Sequence, residues 1–226
     1  VPNTLMFTND AGTDEQISGL GYQANFNGFR LTLTSDTPVT TADVSAAGTI
    51  YMTPYTSKLI GLYDGSSWQL ISTAQMSVAA DSGTDQVFDI FLDYNGGTPQ
   101  LVTLDWTNDT TRATALVYQD GVLCKTGDLQ QRYLGTARTK TGSQVSDTIA
   151  FRHLWNYYNR IDKDMYVEEP ANSWTYTTAT IRQANANTAN QLDFVIGVDE
   201  DVVKANVYTT AYNGTQNIQL VVGVGL

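Results

Sequence analysis

The chain holds one cysteine and one histidine. Cys124 alone excludes an internal disulfide and a cysteine metal centre. With His153 as the sole imidazole, a metal site of several histidines is excluded too. A Ser-His-Asp triad would have to use His153, and no Gly-x-Ser-x-Gly turn accompanies it. Glycine-rich phosphate loops of the Walker or dinucleotide type are missing, so no cofactor is expected. No apolar run approaches the ~18 residues that span a bilayer. The start of the chain lacks the charged, then apolar, then small-residue order of a signal peptide.

Charge is scarce as well. Charged residues make up 15% of the chain, against about a quarter in ordinary globular proteins. The 12 basic and 23 acidic residues leave a net charge of −11. Such a chain is repelled by phosphate backbones and by anionic membranes, so neither nucleic acid nor membrane is an expected partner. Glutamate occurs only as Glu15, Glu168, Glu169 and Glu200. A glycosidase needs two facing carboxylates about 5–10 Å apart. The neighbours Glu168 and Glu169 would point to opposite faces of a strand, and the chain is expected to be non-enzymatic.

What remains is a sequence of β-type. The 226 residues are 42% hydrophobic, enough for a sizeable core, and β-sandwiches of this length are often one domain. The stretch from Gly28 to Tyr55 reads as strand, turn, short helical turn, strand. Phe29, Leu31 and Leu33 alternate with Arg30, Thr32 and Thr34, the period of a half-buried strand. Asp36-Thr37-Pro38 breaks it, and Thr41 is placed to cap a helical turn over Ala42, Asp43 and Val44. Ile50 and Met52 then alternate with Tyr51 and Thr53.

Short strands continue at regular spacing. Lys58 to Tyr63 ends at the hairpin signal Asp64-Gly65, and Gln119-Asp120-Gly121-Val122 is a second tight hairpin. Phe88, Ile90, Leu92 and Tyr94 share one side of a strand, with Asp89 and Asp93 on the other. Leu101 to Trp106 follows Asn95-Gly96-Gly97, and Tyr133 to Thr139 reads as a polar strand. One short helix is expected near 147–158, because Phe151, Leu154, Trp155 and Tyr158 fall at i, i+3, i+4 and i+7. The same residues also alternate at period two, which is the strand alternative. Trp174 to Thr177, Leu192 to Val198, Val202 to Tyr208 and Ile218 to Val222 read as further strands, the last two joined through Asn213-Gly214. About ten strands with turn signals between them predict an all-β fold, a sandwich or barrel. The division expected is an N-terminal segment, 1–27, and a β-domain, 28–226.

Candidate site residues are few. Cys124 sits in an apolar run and is expected to be a buried small hydrophobe. His153 is read as structural. The acidic turn Asp199-Glu200-Asp201 and the group Asp105, Asn108 and Asp109 offer oxygens to calcium but lack EF-hand spacing, and are read as solvated turns. Trp68, Trp106, Trp155 and Trp174 sit within or beside apolar strands and are expected in the core. Tyr157, Tyr158 and Arg160 are the candidate glycan contacts, since tyrosine combines an apolar ring with a polar tip. Leu5, Met6 and Phe7 form an apolar cluster that docks on a particle or neighbour, or else an edge strand of the domain.

The motifs occur in a recognisable order. After Gly28 to Tyr55 come Leu62-Tyr63-Asp64-Gly65-Ser66-Ser67-Trp68, Trp106 to Arg112, and Gln119-Asp120-Gly121-Val122. Tyr133-Leu134-Gly135-Thr136, Leu154 to Arg160, and the run from Trp174 to Gly197 follow. From Gly28 to Gly197 the chain resembles a domain of tailed-bacteriophage virion proteins described as tail-fibre or uncharacterised structural proteins. The resemblance implies a jelly-roll sandwich in a tail fibre or similar appendage that contacts the host surface. A head-decoration or head-fibre protein, and a carbohydrate-binding module, are the alternatives. Expected partners are other virion proteins, host surface glycan and two further copies in a homotrimer. The location implied is the virion, with synthesis in the bacterial cytoplasm and release by lysis.

Overall fold

The structure, a computed structural model, describes residues 6–8, 14–16, 24–80, 83–175, 177, 180, 182–200 and 202–208. It is almost entirely β, with 43% of residues in strands arranged in curled sheets. Met6–Thr8 (β1) pairs antiparallel with Asp14–Gln16 (β2), Phe7 opposite Glu15. Phe29–Thr32 (β3), Val44–Ala47 (β4) and Thr49–Pro54 (β5) come from the opening stretch. β3 pairs with β5, placing Leu31 opposite Met52. The helical turn expected over 42–44 is not formed. Val44 instead opens β4, and its backbone pairs with that of Asp147.

Leu59–Tyr63 (β6) and Trp68–Ser72 (β7) form the hairpin signalled by Asp64-Gly65. The Asp64 carboxylate accepts the backbone N–H groups of Ser66 and Ser67, each at 2.8 Å, while Gly65 takes φ +98°. Those bonds hold the Asp64 carboxyl well below the usual carboxylate range. Met76–Ala79 (β8) completes a three-stranded sheet on β5.

A seven-stranded sheet follows. Six of its strands are Val87–Asp93 (β9), Gln100–Asn108 (β10), Thr111–Arg112 (β11), Leu116–Gln119 (β12), Val122–Lys125 (β13) and Asp128–Arg138 (β14), and the seventh, Leu154–Asn156, pairs with β14 off their path. The strand order is β11-β10-β9-β14-β13-β12. The β12–β13 turn has positive φ at Asp120 (+50°) and Gly121 (+82°), the conformation that a two-residue primed turn demands. β14 is the centre of the sheet. Arg132 through Ala137 are all buried, so the strand read as polar is enclosed over more than half its length. A register shift against β9 lies between Tyr133 and Gly135. Such a bulge breaks the two-residue alternation, and Leu134 and Ala137, three apart, both reach the main core.

Val145–Asp147 (β15), Phe151–Arg152 (β16) and Leu154–Asn156 (β17) replace the helix expected near 147–158. Among the described residues no helix reaches seven residues. The cause is two-sided burial. Leu154 and Tyr158 pack on the main core, while Trp155 and Tyr157 pack on a second cluster with Phe91 and Tyr133. A strand sends neighbours to opposite faces and a helix does not. β17 pairs with β14, Trp155 opposite Thr136. A Cβ on Gly135 would collide with the Trp155 carbonyl oxygen, so glycine is what admits β17.

Asp193–Phe194 (β18) pairs parallel with β16, Phe151 opposite Asp193. Only these two residues of the strand expected over 192–198 are regular. Residues 202–208 and the described part of 174–177 form no strand, and Trp174 is exposed, against the expectation that it enters the core. Asn213, Gly214 and Ile218 to Val222 lie outside the described residues. The main core joins Phe29, Leu31, Ile50, Met52, Ile60 and Leu62 to Phe88, Ile90, Leu92 and Leu134. Burying side chains of this size contributes about 1.5–3 kcal/mol each.

Candidate functional site

The face of the seven-stranded sheet opposite the main core carries a polar network beneath an aromatic surface. Asp89 points to this face from β9 and is buried. Its carboxylate accepts Arg112 Nε at 2.8 Å and Thr136 Oγ1 at 2.7 Å. Thr136 Oγ1 lies 2.6 Å from the Tyr133 hydroxyl. Burial pushes the Asp89 carboxyl up, and Arg112 and Thr136 oppose that rise. Burial also pushes the Tyr133 phenol up. Arg112 stacks 4.4 Å from the Trp106 ring centroid and donates to the Gly197 carbonyl. Gly197 closes the network from above.

Tyr133, Trp155 and Tyr157 form one aromatic group on this face. Their centroids are separated by 6.4 Å for Tyr133–Trp155, 5.6 Å for Tyr133–Tyr157 and 6.0 Å for Trp155–Tyr157. Arg160 covers the outer pair, 4.7 Å from the Trp155 centroid and 5.2 Å from that of Tyr157. Its Nε donates to the Tyr157 carbonyl at 3.0 Å. Its Nη2 faces Glu200 Oε2 at 3.4 Å. Glu200 Oε1 accepts the Tyr118 hydroxyl at 3.2 Å. Burial and the bond with Tyr118 push the Tyr157 phenol up. A surface patch of Tyr118, Trp155, Tyr157, Arg160 and Glu200 results. Tyr118 is its most open ring, 58% exposed on the edge strand β12.

Of the candidate glycan contacts, Tyr157 and Arg160 stand together in this patch. Tyr158 does not. It turns to the main core, where the Arg132 guanidinium sits 4.5 Å from its ring centroid. Arg132 is itself buried and donates to the carbonyls of Ala24 at 2.7 Å and Gly61 at 2.6 Å. Sequence reading did not find Tyr118, Trp155 or Glu200 as patch members. Tyr118 and Glu200 are 82 residues apart, and nothing local marks that meeting.

The remaining candidates fall elsewhere. His153 is buried, with Nε2 3.3 Å from Asp193 Oδ2, and Lys140 Nζ is 3.1 Å from the same oxygen. Cys124 is fully buried in β13. Met6 and Phe7 lie in β1, and Leu5 is outside the described residues. Asp109 lies 3.6 Å from Arg138, Asp201 is outside the described residues, and among the described residues no three His, Cys, Asp or Glu side chains form a metal-binding group. Among the same residues no helix is long and apolar enough to cross a membrane.

Several of the motifs named above bond to one another. Trp68 Nε1 donates to Asp120 at 2.9 Å, joining two hairpins. The Asn156 amide donates to the Leu31 carbonyl at 3.0 Å and accepts the Leu31 N–H at 2.7 Å. Asn159 donates to the carbonyls of Asn27 and Phe29 at 2.8 and 2.9 Å. Comparison of the chain with family models, with curated proteins and with solved structures finds no match.

Proposed function

We propose that this chain is a non-catalytic structural protein of a tailed-bacteriophage virion, part of a tail fibre or similar projecting appendage that contacts the host surface. Its curled sheets would make a jelly-roll sandwich, and three copies would form the working unit. The ordered motifs support the virion reading. Their side chains serve in strand-to-strand bonds such as Asn156 with Leu31 and Trp68 with Asp120, the use expected of a rigid building module.

The observation that carries the assembly is exposure. Val202, Val203, Val207 and Tyr208 are 83%, 54%, 54% and 93% exposed on the one segment 202–208. Monomeric soluble proteins rarely leave contiguous patches of this kind open. A neighbouring copy would bury them, and obligate interfaces commonly bury more than about 2,000 Å². Static light scattering of the purified chain tests this. A mass of three times 24.7 kDa is expected, and a stable monomer at micromolar concentration contradicts it. An antibody label on intact particles separates an appendage from a head-decoration protein.

A further inference from the structure

We infer that the patch of Tyr118, Trp155, Tyr157, Arg160 and Glu200 binds a neutral, hydroxyl-rich saccharide. The inference deepens the host-contact reading and rests on it for its biological setting. Binding itself is a property of the isolated chain, so it can fail while the virion location stands.

Four features carry it. First, the patch offers aromatic surface at an open edge, with Tyr118 58% exposed. A pyranose presents an apolar C–H face to such a ring, and tyrosine adds a polar tip. Second, the polar groups are held in place before any ligand arrives. Glu200 accepts the Tyr118 hydroxyl at 3.2 Å, and Arg160 is fixed by the Tyr157 carbonyl at 3.0 Å. Holding groups in the bound geometry removes part of the entropic cost of binding.

Third, the charges select the ligand class. Arg160 already lies over both Trp155 and Tyr157, which leaves the open Tyr118 ring as the stacking face and fixes a cation in the same patch. Glu200 stands 3.4 Å from Arg160 Nη2 and offsets its charge, while the chain carries −11 overall. An acidic sugar gains little from that balance, and a cationic one meets the fixed guanidinium. A neutral diol can accept from the guanidinium and donate to the carboxylate. Fourth, Arg160 and Glu200 keep 33% and 47% of their side chains exposed, so they remain accessible to a ligand.

The test titrates the full chain with neutral polysaccharides (dextran, mannan and a β-glucan), with polygalacturonate and with chitosan, followed by calorimetry. The variants are Tyr118→Ala, Glu200→Gln and Tyr166→Ala, the last an exposed tyrosine outside the patch. All three lie at the surface, and their thermal melts check the fold. At least one neutral polysaccharide is expected to bind, with affinity falling about tenfold in Tyr118→Ala, falling in Glu200→Gln, and unchanged in Tyr166→Ala. Three results overturn the inference: no neutral polysaccharide binds, only the charged polymers bind, or binding survives Tyr118→Ala undiminished.

Discussion

Gly197 sits directly against the Tyr133 hydroxyl. A Cβ at this position would overlap the Tyr133 and Thr136 oxygens and press within 2.7 Å of the Trp155 ring. The chain at 193–200 thereby lies close enough for the Gly197 carbonyl to accept from Arg112. Gly197→Ala is expected to push this segment off the sheet and to destabilise the protein by about 1–3 kcal/mol, the cost of overpacking. Gly48→Ala, where the nearest atom would be 3.8 Å away, is the control and should stay within about 0.5 kcal/mol. Urea denaturation of both variants reads the difference.

Asp89 and Arg112 make the second prediction. Removing one partner from a buried ion pair leaves the other unpaired, a loss of about 3 kcal/mol or more. Asp89→Ala is expected to lose that much. The double variant Asp89→Leu with Arg112→Met should lie well above either single variant, because no unpaired charge remains. Equal stability of Asp89→Ala and the wild type in chemical denaturation would contradict the role assigned to the pair.

Much of the fold was legible because its signals are local. The Asp64-Gly65 and Asp120-Gly121 hairpins need only residues that are neighbours in the chain. Phe88, Ile90 and Leu92 announce a strand by their own spacing. The central strand β14 was harder to read. Arg132 and Thr136 look like surface residues until Ala24, Gly61 and Asp89 supply their partners from distant segments. The helix expected near 147–158 arose because Phe151, Leu154, Trp155 and Tyr158 fit both periods. Burial on two faces decided for strands. Two of the five patch residues, Tyr157 and Arg160, were legible. Tyr118 and Glu200 join it only through tertiary contact.

Acid should loosen the β16–β18 junction. The His153 imidazole and the Lys140 ammonium hold the Asp193 carboxyl below the usual carboxylate range, against the opposing effect of burial. A carboxyl whose folded pKa lies below its unfolded value of about 3.9 contributes fully above that value. The contribution is lost as pH falls towards the folded pKa. The wild type should therefore exceed Asp193→Asn in urea midpoint at about pH 7, with the gap closing towards about pH 3. A gap that holds constant or widens on acidification would be inconsistent with this linkage.

Cys124 should be inert in the folded protein. It is fully buried, and burial pushes its thiol up to about 11, so little of the reactive thiolate forms at neutral pH. A disulfide-exchange reagent at about pH 8 should label it only in urea. Stoichiometric labelling within seconds under native conditions would show that β13 opens freely.

The proposal that this chain is a virion appendage protein is tested most directly on intact particles. An antibody raised against the purified chain, carrying a gold label, is applied to density-purified tailed phages that encode it and viewed by electron microscopy. Gold on a projecting fibre, with the chain present in the protein content of the same particles, is the predicted result. Particles without label or chain, with the protein found only in the soluble lysate, would contradict the account.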